Sequence, residues 1–174
     1  MARLPVLTVA EPRELAVLKQ PSAPVAAIDD DLRRLMDDMA ETMYAEFGIG
    51  IAAPQVGVLQ RVVVMDLKSG EEGERNPRFF VNPEITWKSE ETAVADEGCL
   101  SIPNVFDQVE RPAKVRFKYL DREGAEHEEE AEGLLAVCMQ HEIDHLNGVL
   151  FIDYLSRLKR ERAITRVKRE RRAA

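Results

Sequence analysis

The sequence is poor in the residues that cross-link a chain or anchor it in a membrane. It has only two cysteines, Cys99 and Cys138, which are too few for a disulfide framework, although one disulfide remains formally possible. No apolar run approaches the length of a membrane-spanning helix. The start, MARLPVLTVAEPREL, lacks the order of a secretory signal because Pro5, Glu11 and Pro12 interrupt it. We therefore expect a cytoplasmic protein that makes no contact with membranes.

The chain also lacks an even distribution of charge. Its net charge at pH 7 is −8, yet residues 156–174 carry nine Lys or Arg against two Glu, a net of +7, so residues 1–155 carry −15. With 174 residues, 45 % of them apolar, the chain is long enough to bury a core and suits one domain over 1–174. The acidic body should repel polyanions, and the basic tail should attract them.

The order of the predicted elements indicates an α+β fold. Apolar residues at three- and four-residue steps, behind an Asp29-Asp30-Asp31 cluster, predict a helix over 29–47. A glycine-rich loop follows over 48–57. A second helix is predicted over 132–147, and a last, basic helix over about 156–174. The predicted strands lie between the first two helices, over 61–67, 79–87, 92–96 and 114–120, the last turning into an acidic strand as a hairpin. Helices and strands do not alternate, which argues against a doubly wound sheet.

The strongest chemical signal is the segment HEIDH, from His141 to His145. Residues four apart lie on one face of a helix, so both imidazoles can bind a single metal ion. Glu142 points elsewhere and can accept a proton from a water bound to that ion. A surface helix that merely contains two histidines and two acids is the alternative. The chain has only three histidines, and two of them stand at this spacing, which favours the metal site.

A catalytic ion usually has three protein ligands, and the third ligand is less obvious. In one class of metalloprotease a further histidine would stand where this chain has Phe151. Another class uses a downstream acid, but Glu161 and Glu170 lie in the basic tail. Cys99 is the better candidate, since it follows a predicted strand and thiolates bind iron or zinc well. A small buried core residue is the alternative interpretation of Cys99. Cys138 lies one turn before His141 and is predicted to line a pocket wall.

A third segment, GIGIAAPQVG over 48–57, combines unusual backbone freedom with one polar side chain. Its glycines permit rare backbone angles. Gln55 supplies an amide that can donate a hydrogen bond to a developing oxyanion. The spacing does not suit a phosphate-binding loop, because no lysine follows the second glycine. Taken alone, the segment would be an ordinary connection.

Taken together, these segments resemble the motifs of a known enzyme family. GIGIAAPQ (48–55), EGCLS (97–101) and HEIDH (141–145) are similar, in order and spacing, to the three motifs of peptide deformylases. The resemblance extends over about the whole chain, and the basic C-terminal helix is similar to that of the bacterial form. It implies antiparallel strands packed around a central helix that carries the HExxH motif, with N-terminal and C-terminal helices.

The resemblance also implies a role for individual residues. Cys99, His141 and His145 would be the metal ligands, and the ion would be Fe²⁺, one per chain, which Ni²⁺, Co²⁺ or Zn²⁺ can replace. Glu142 would be the general base and acid, while Gln55 and the backbone N–H of Leu100 would stabilise the oxyanion. The residues expected to contact the substrate are Ile49, Gly50, Glu97, Leu134, Val137 and Cys138.

The activity implied is removal of the formyl group from the N-terminal formylmethionine of nascent polypeptides, with release of formate. A metal-bound hydroxide would attack the formyl carbon. The resemblance further implies that the basic tail binds the ribosome through rRNA phosphates. Two other functions stay open from the residues alone: an HExxH metallopeptidase, and a non-catalytic protein that binds RNA or stores metal. For Asp144, orientation of a ligand with help from Arg111 and a plain surface salt bridge are equally plausible.

Overall fold

The computed structural model describes residues 2–70 and 73–173. Four α-helices, seven strands and two short 3₁₀ segments, Ala53–Val56 and Phe151–Tyr154, are found in these ranges. The helices are α1 (Pro12–Leu18), α2 (Asp30–Ala45), α3 (Gly133–Leu146) and α4 (Arg157–Ala173). The strands are β1 (Gly50–Ala52), β2 (Val62–Met65), β3 (Arg78–Lys88), β4 (Thr92–Cys99), β5 (Ile102–Pro112), β6 (Lys114–Leu120) and β7 (Glu126–Glu132).

The strands form two antiparallel sheets. Five of them make one sheet in the order β1-β2-β3-β6-β7. The other two, β4 and β5, pair as a separate hairpin. In β6 every second side chain is buried, as expected for a sheet with one face against a core. The hydrogen-bond register of β4 and β5 shifts between Gly98 and Cys99, which bends the end of β4.

Helix α3 lies at the centre of the fold. Its apolar residues Met139, Ile143 and Leu146 pack with Phe80 and Phe117 of the large sheet. Helix α2 forms a second cluster with the other face of β2, and α4 packs through Ala163 and Val167 against a third cluster. The predicted α+β architecture, with a central HExxH helix between N-terminal and C-terminal helices, is confirmed.

Two elements were not predicted, and one loop is more ordered than expected. Helix α1 is only seven residues long and has a proline at its start, so periodicity could not detect it, although Glu11 accepts a hydrogen bond from the backbone of Arg13 as a cap. Strand β5 begins three residues after Cys99 and contains Asn104 in a left-handed conformation, φ 63°. The 48–57 segment contains β1 and a 3₁₀ turn rather than irregular chain alone.

Among residues 2–70 and 73–173, no helix has both the length and the apolar character needed to cross a membrane.

Candidate active site

Three potential metal ligands converge at one end of the central helix. His141 and His145 are one helical turn apart on α3, with ring centroids 5.0 Å from each other. The Sγ atom of Cys99, at the end of β4, lies 3.3 Å from Nε2 of His145. One ligand atom from each of the three side chains lies within 4.8 Å of the other two. The structure therefore brings together the predicted set, although the three residues come from two different elements.

Glu142 lies beside these three ligands. Its Oε1 is 3.9 Å from Nε2 of His145 and 4.0 Å from Nε2 of His141. Its Oε2 is buried and has no hydrogen-bond partner among residues 2–70 and 73–173. Burial raises the pKa of the Glu142 carboxyl to about 7, and His141 only partly offsets this. A carboxyl with a pKa near neutrality is suited to accepting a proton and returning it.

Gly50 makes room for that carboxylate. A Cβ atom at position 50 would lie 3.0 Å from Oε2 of Glu142 and 3.3 Å from its Cδ. Such contacts are tighter than side chains normally accept, so a larger residue here would push Glu142 aside. The glycine in β1 thus sets the position of the carboxylate on α3.

The donor set fits a divalent cation. A thiolate and two imidazoles suit Fe²⁺, Co²⁺, Ni²⁺ or Zn²⁺, and three protein ligands are the number usual for a catalytic site. The buried, unpartnered oxygen of Glu142 would otherwise be costly, and a water held by such a cation would satisfy it. Cys138, by contrast, is only partly exposed beside the site, and desolvation raises the pKa of its thiol to about 12, so it stays protonated.

A buried ion pair supports His141 from behind. Oε1 of Glu97 is 2.9 Å from Nδ1 of His141, and Arg111 donates two hydrogen bonds to the same carboxylate, at 2.6 and 2.9 Å. Burial raises the pKa of Glu97, but the hydrogen bonds from Arg111 and His141 outweigh it, so the net pKa is lowered. Because an ionised carboxylate can only accept, Nδ1 of His141 is the donor, and Nε2 is left to bind a cation when the ring is neutral.

The Arg111 guanidinium also forms a hydrogen bond to a second carboxylate, that of Asp144 on α3. It donates a hydrogen bond to Oδ2 of Asp144 at 2.8 Å, and the Tyr154 hydroxyl donates to the same oxygen at 2.8 Å. The Arg111 side chain is only 5 % exposed. Of the two interpretations of Asp144, a plain surface salt bridge is therefore wrong, since its partner is buried and also holds the carboxylate that supports His141.

Gln55 is fixed by hydrogen bonds at both ends of its amide. Its Oε1 accepts from the backbone N–H of Ala52 at 3.0 Å, which orients its Nε2 toward the site. Nε2 donates to Oγ of Ser101 at 3.1 Å and lies 3.5 Å from Sγ of Cys99. Ser101 is fully buried. The amide group is thus held with its N–H donors next to the metal ligands.

The site opens into a cavity of about 530 Å³. All the residues predicted to contact substrate line it: Ile49, Gly50, Glu97, Leu134, Val137 and Cys138. Leu100 and Gln55 line it as well, together with Cys99, His141 and Glu142. Glu97 contributes to the wall, but its carboxylate oxygens are already engaged by His141 and Arg111.

Sequence reasoning missed several residues of this region. Phe47 and Phe106 line the cavity and are 93 % and 73 % exposed. Each lies outside the three motifs, and a single exposed aromatic leaves no periodic pattern in a sequence. The pairing of Arg111 with Glu97 was also missed, because the two residues are fourteen positions apart on paired strands whose second member, β5, was not predicted.

The chain is similar in sequence to proteins of one known family. A family model described as polypeptide deformylase matches residues 4–161. A peptide deformylase from Caulobacter sp. (strain K31) is 62 % identical, over all of this chain and all of its own. The chain belongs to the peptide deformylase family. It is therefore a hydrolase, and the family is one of metalloenzymes that remove N-formyl groups from nascent peptides.

Other deformylases agree over the same length. The peptide deformylase of Phenylobacterium zucineum is 59 % identical over the whole of both chains. The crystal structure of the Ehrlichia chaffeensis deformylase in complex with actinonin has a TM-score of 0.90 and 44 % identity, covering 99 % of each chain. The Legionella pneumophila deformylase has a TM-score of 0.89 and 42 % identity, covering 99 % of this chain and 97 % of its own.

Proposed function

We propose that this chain hydrolyses the formyl group from N-formylmethionine at the start of nascent polypeptides and releases formate. The observation that carries the proposal is the convergence of Cys99, His141 and His145 beside Glu142, whose buried Oε2 has no hydrogen-bond partner in the part of the chain that the structure describes. A fixed amide donor, Gln55, lies next to them. Hydrolysis of an amide needs these parts: an activated water, a proton carrier and an oxyanion donor.

The ion we propose for the site is Fe²⁺, one per chain, with Ni²⁺, Co²⁺ or Zn²⁺ as substitutes. Cys99, His141 and His145 would hold it, and Glu97 would orient the ring of His141. When bound, the cation supplies Lewis-acid chemistry, which lowers the pKa of a water and polarises a carbonyl oxygen. One thiolate among the ligands favours soft or borderline metals over Mg²⁺ or Ca²⁺.

Each of the remaining groups has a defined role in the reaction. Glu142 accepts the proton of the attacking water through its buried carboxylate and then gives a proton to the departing amine. Gln55 Nε2 and the backbone N–H of Leu100 donate hydrogen bonds to the oxygen of the formyl group as it becomes negative. A fixed donor of this kind typically contributes about 3 kcal/mol to lowering the barrier. The C–N bond breaks, and formate and a free N-terminal amine leave.

The residues that line the cavity suit a formylmethionine substrate. The side chains of Ile49, Leu134, Val137 and Cys138 give an apolar wall suited to methionine. Gly50 would lie along the peptide backbone of the substrate. A formyl group is the smallest acyl group, and in this proposal the site beside Glu142, Gln55 and the metal ligands admits it and excludes a larger one. Acetylated peptides should therefore be poor substrates.

The deciding experiment combines metal analysis with a formate-release assay. The chain is purified without oxygen and its iron content measured. It is then given formyl-Met-Ala-Ser and, as a matched control, acetyl-Met-Ala-Ser. We expect about one metal ion per chain, formate from the first peptide, and neither acetate nor a free N-terminal amine from the second. A metal-loaded protein that releases no formate would contradict the proposal.

A metallopeptidase would share the helix motif but differ in product. Phe151, which stands where one protease class has its third histidine, is buried and stacks on His141 with ring centroids 6.1 Å apart. Glu161 and Glu170, the candidates of another class, pair with Arg157 and Arg166 on α4. Cleavage of an internal peptide bond in an unformylated peptide would favour this alternative.

The basic tail supports a second proposal, that the chain binds the ribosome through rRNA phosphates. Helix α4 buries Ala163 and Val167, which fixes the face that packs on the body. Arg162, Arg169 and Arg172 are exposed and form no ion pair with residues 2–70 or 73–173. They are spaced by seven and three residues and so share one face of the helix. Binding there would place the enzyme in the cytoplasm, where nascent chains emerge.

A further inference from the structure

Two aromatic side chains at the mouth of the cavity have no role in the reaction proposed above. Phe47 is 93 % exposed and Phe106 is 73 % exposed, yet both line the cavity that is also lined by Cys99 and His141. We call this pair the aromatic rim. Large apolar side chains so exposed at the edge of a binding cavity indicate a contact surface for a ligand.

The backbone at Phe47 is strained for a residue of this kind. Helix α2 ends in a pair of hydrogen bonds in which the N–H of Phe47 donates to the carbonyl of Tyr44 and that of Gly48 donates to the carbonyl of Met43. Phe47 adopts φ 59°, the left-handed conformation for which glycine is the favoured residue at this position. Since the ring is almost fully exposed, packing within the chain does not compensate for the strain.

Phe106 is held over the backbone of the second motif. A Cβ atom on Gly98 would overlap Cε1 of the Phe106 ring and lie 2.6 Å from its Cδ1. The absence of a side chain at Gly98 therefore allows the ring to lie directly on the strand that ends in Cys99. One face of the Phe106 ring thus packs on the backbone at Gly98, while most of the side chain stays exposed and can contact an apolar group of a ligand.

We infer that the aromatic rim binds the side chain of the second residue of the substrate and favours peptides in which that residue is apolar. The inference rests on the proposed function. In an extended peptide successive side chains point in opposite directions. If the methionine side chain enters the cavity, the next side chain points back toward its mouth, where Phe47 and Phe106 are exposed.

The test compares three peptides with the metal-loaded enzyme: formyl-Met-Leu-Ser, formyl-Met-Ser-Ser and formyl-Met-Ser-Leu. We expect kcat/KM for the first to exceed that for the second by roughly tenfold, mostly through KM, because the rim contact forms on binding rather than in the transition state. In the double variant Phe47→Gly, Phe106→Ser the ratio should fall to within about twofold.

The variants separate this contact from a general loss of structure. Phe47→Gly removes the backbone strain, so it should raise Tm by about 2–4 °C while lowering the leucine preference roughly threefold. It thus tests the rim even if Phe106→Ser folds poorly. Trp87→Ser, at an aromatic residue that is 43 % exposed and does not line the cavity, is the matched control and should keep the full ratio.

Several results would overturn the inference while leaving the proposed function intact. One is equal kcat/KM for the leucine and serine peptides, and another is a leucine preference that persists in the double variant. A preference for leucine at the third position instead of the second would also overturn it. Absence of formate from all three peptides would instead reject the proposed function, and the inference with it.

Discussion

The Nδ1 atom of His141 lies 2.9 Å from Oε1 of Glu97, and this contact joins a metal-binding residue to a buried ion pair. The carboxylate of Glu97 is 3 % exposed and the guanidinium of Arg111 is 5 % exposed. A histidine ligand held in this way presents a defined nitrogen at a fixed angle. The strength of metal binding should therefore depend on Glu97, which is not a ligand.

Glu97→Gln tests this dependence. The amide cannot replace the charge that faces Arg111 and His141, so we expect metal affinity to fall roughly 10- to 100-fold and stability to fall by about 3 kcal/mol. Competition with a chelator gives the affinity, and urea unfolding gives the stability. Asp96→Asn changes the neighbouring, exposed carboxylate and should leave both values near those of the unmodified chain. Unchanged metal affinity in Glu97→Gln would contradict the supporting role.

Glu142→Gln should separate proton transfer from metal binding. The amide keeps the shape of the side chain but cannot accept a proton, so kcat should fall by roughly 10²- to 10⁴-fold while the metal content stays near one per chain. Steady-state formate release and metal analysis of the same sample provide both measurements. Near-normal turnover would show that another group moves the proton.

The pH dependence of kcat/KM should reflect the titration of the Glu142 carboxyl. Its pKa is raised to about 7 by burial, and the ionised form is the active one in the proposed mechanism, so activity should fall as pH drops through that pKa. A bound cation favours the ionised form and moves the pKa below 7. We thus expect an acidic limb in kcat/KM below pH 7. The residual activity of Glu142→Gln should lack this limb, and its persistence there would assign the limb to another group.

Gly50→Ala tests how closely strand β1 approaches the Glu142 side chain on α3. The added methyl group would lie 3.0 Å from Oε2 of Glu142, so the carboxylate must move. A small displacement of a catalytic group can reduce the rate roughly tenfold or more. Circular dichroism and Tm should show a folded protein, and kcat should account for most of the loss. Full activity in this variant would mean that Glu142 has room to adjust.

Ribosome binding by α4 can be tested without disturbing the fold. Replacing Arg162, Arg169 and Arg172 with glutamine keeps Ala163 and Val167 in place, whereas truncation would remove both from the core. We expect weaker binding to purified ribosomes. The slope of log affinity against log salt should also become shallower by about one for each phosphate that is no longer bound. Formate release from a free tripeptide should not change.

Three arginines elsewhere on the surface provide the control for that experiment. Arg13, Arg34 and Arg75 are exposed and lie outside α4, so their replacement changes the net charge equally. If both triple variants bind ribosomes equally weakly, the effect comes from total charge and not from the tail. Unchanged affinity in the α4 variant would remove the ribosome proposal.

The sequence predicted those parts of the site that depend on local spacing. His141, Glu142 and His145 follow from the geometry of one helix, and Gln55 and Cys99 follow from motifs beside glycines. The ion pair of Glu97 and Arg111 depends on the register of β4 against β5, and β5 was not recognised because polar residues and the left-handed Asn104 interrupt its pattern. Long-range register is a tertiary property that no short window of sequence contains.

The exposed aromatic rim shows the other limit of sequence reasoning. An aromatic residue is normally assigned to the core, and nothing around Phe47 in the sequence indicates that its ring is exposed or its φ positive. The proposed role of Phe47 becomes visible only in the structure, where the end of α2 lies beside the cavity. The organisation of residues 1–174 as one domain stays a prediction.

Cobalt titration of the metal-free chain under anaerobic conditions tests the central claim most directly, because a thiolate bound to Co²⁺ gives a charge-transfer absorption band. The account predicts that the band saturates at one ion per chain, disappears in Cys99→Ala and persists in Cys138→Ala. A band that survives the loss of Cys99 but not of Cys138, or no band at all, would contradict a centre formed by Cys99, His141 and His145.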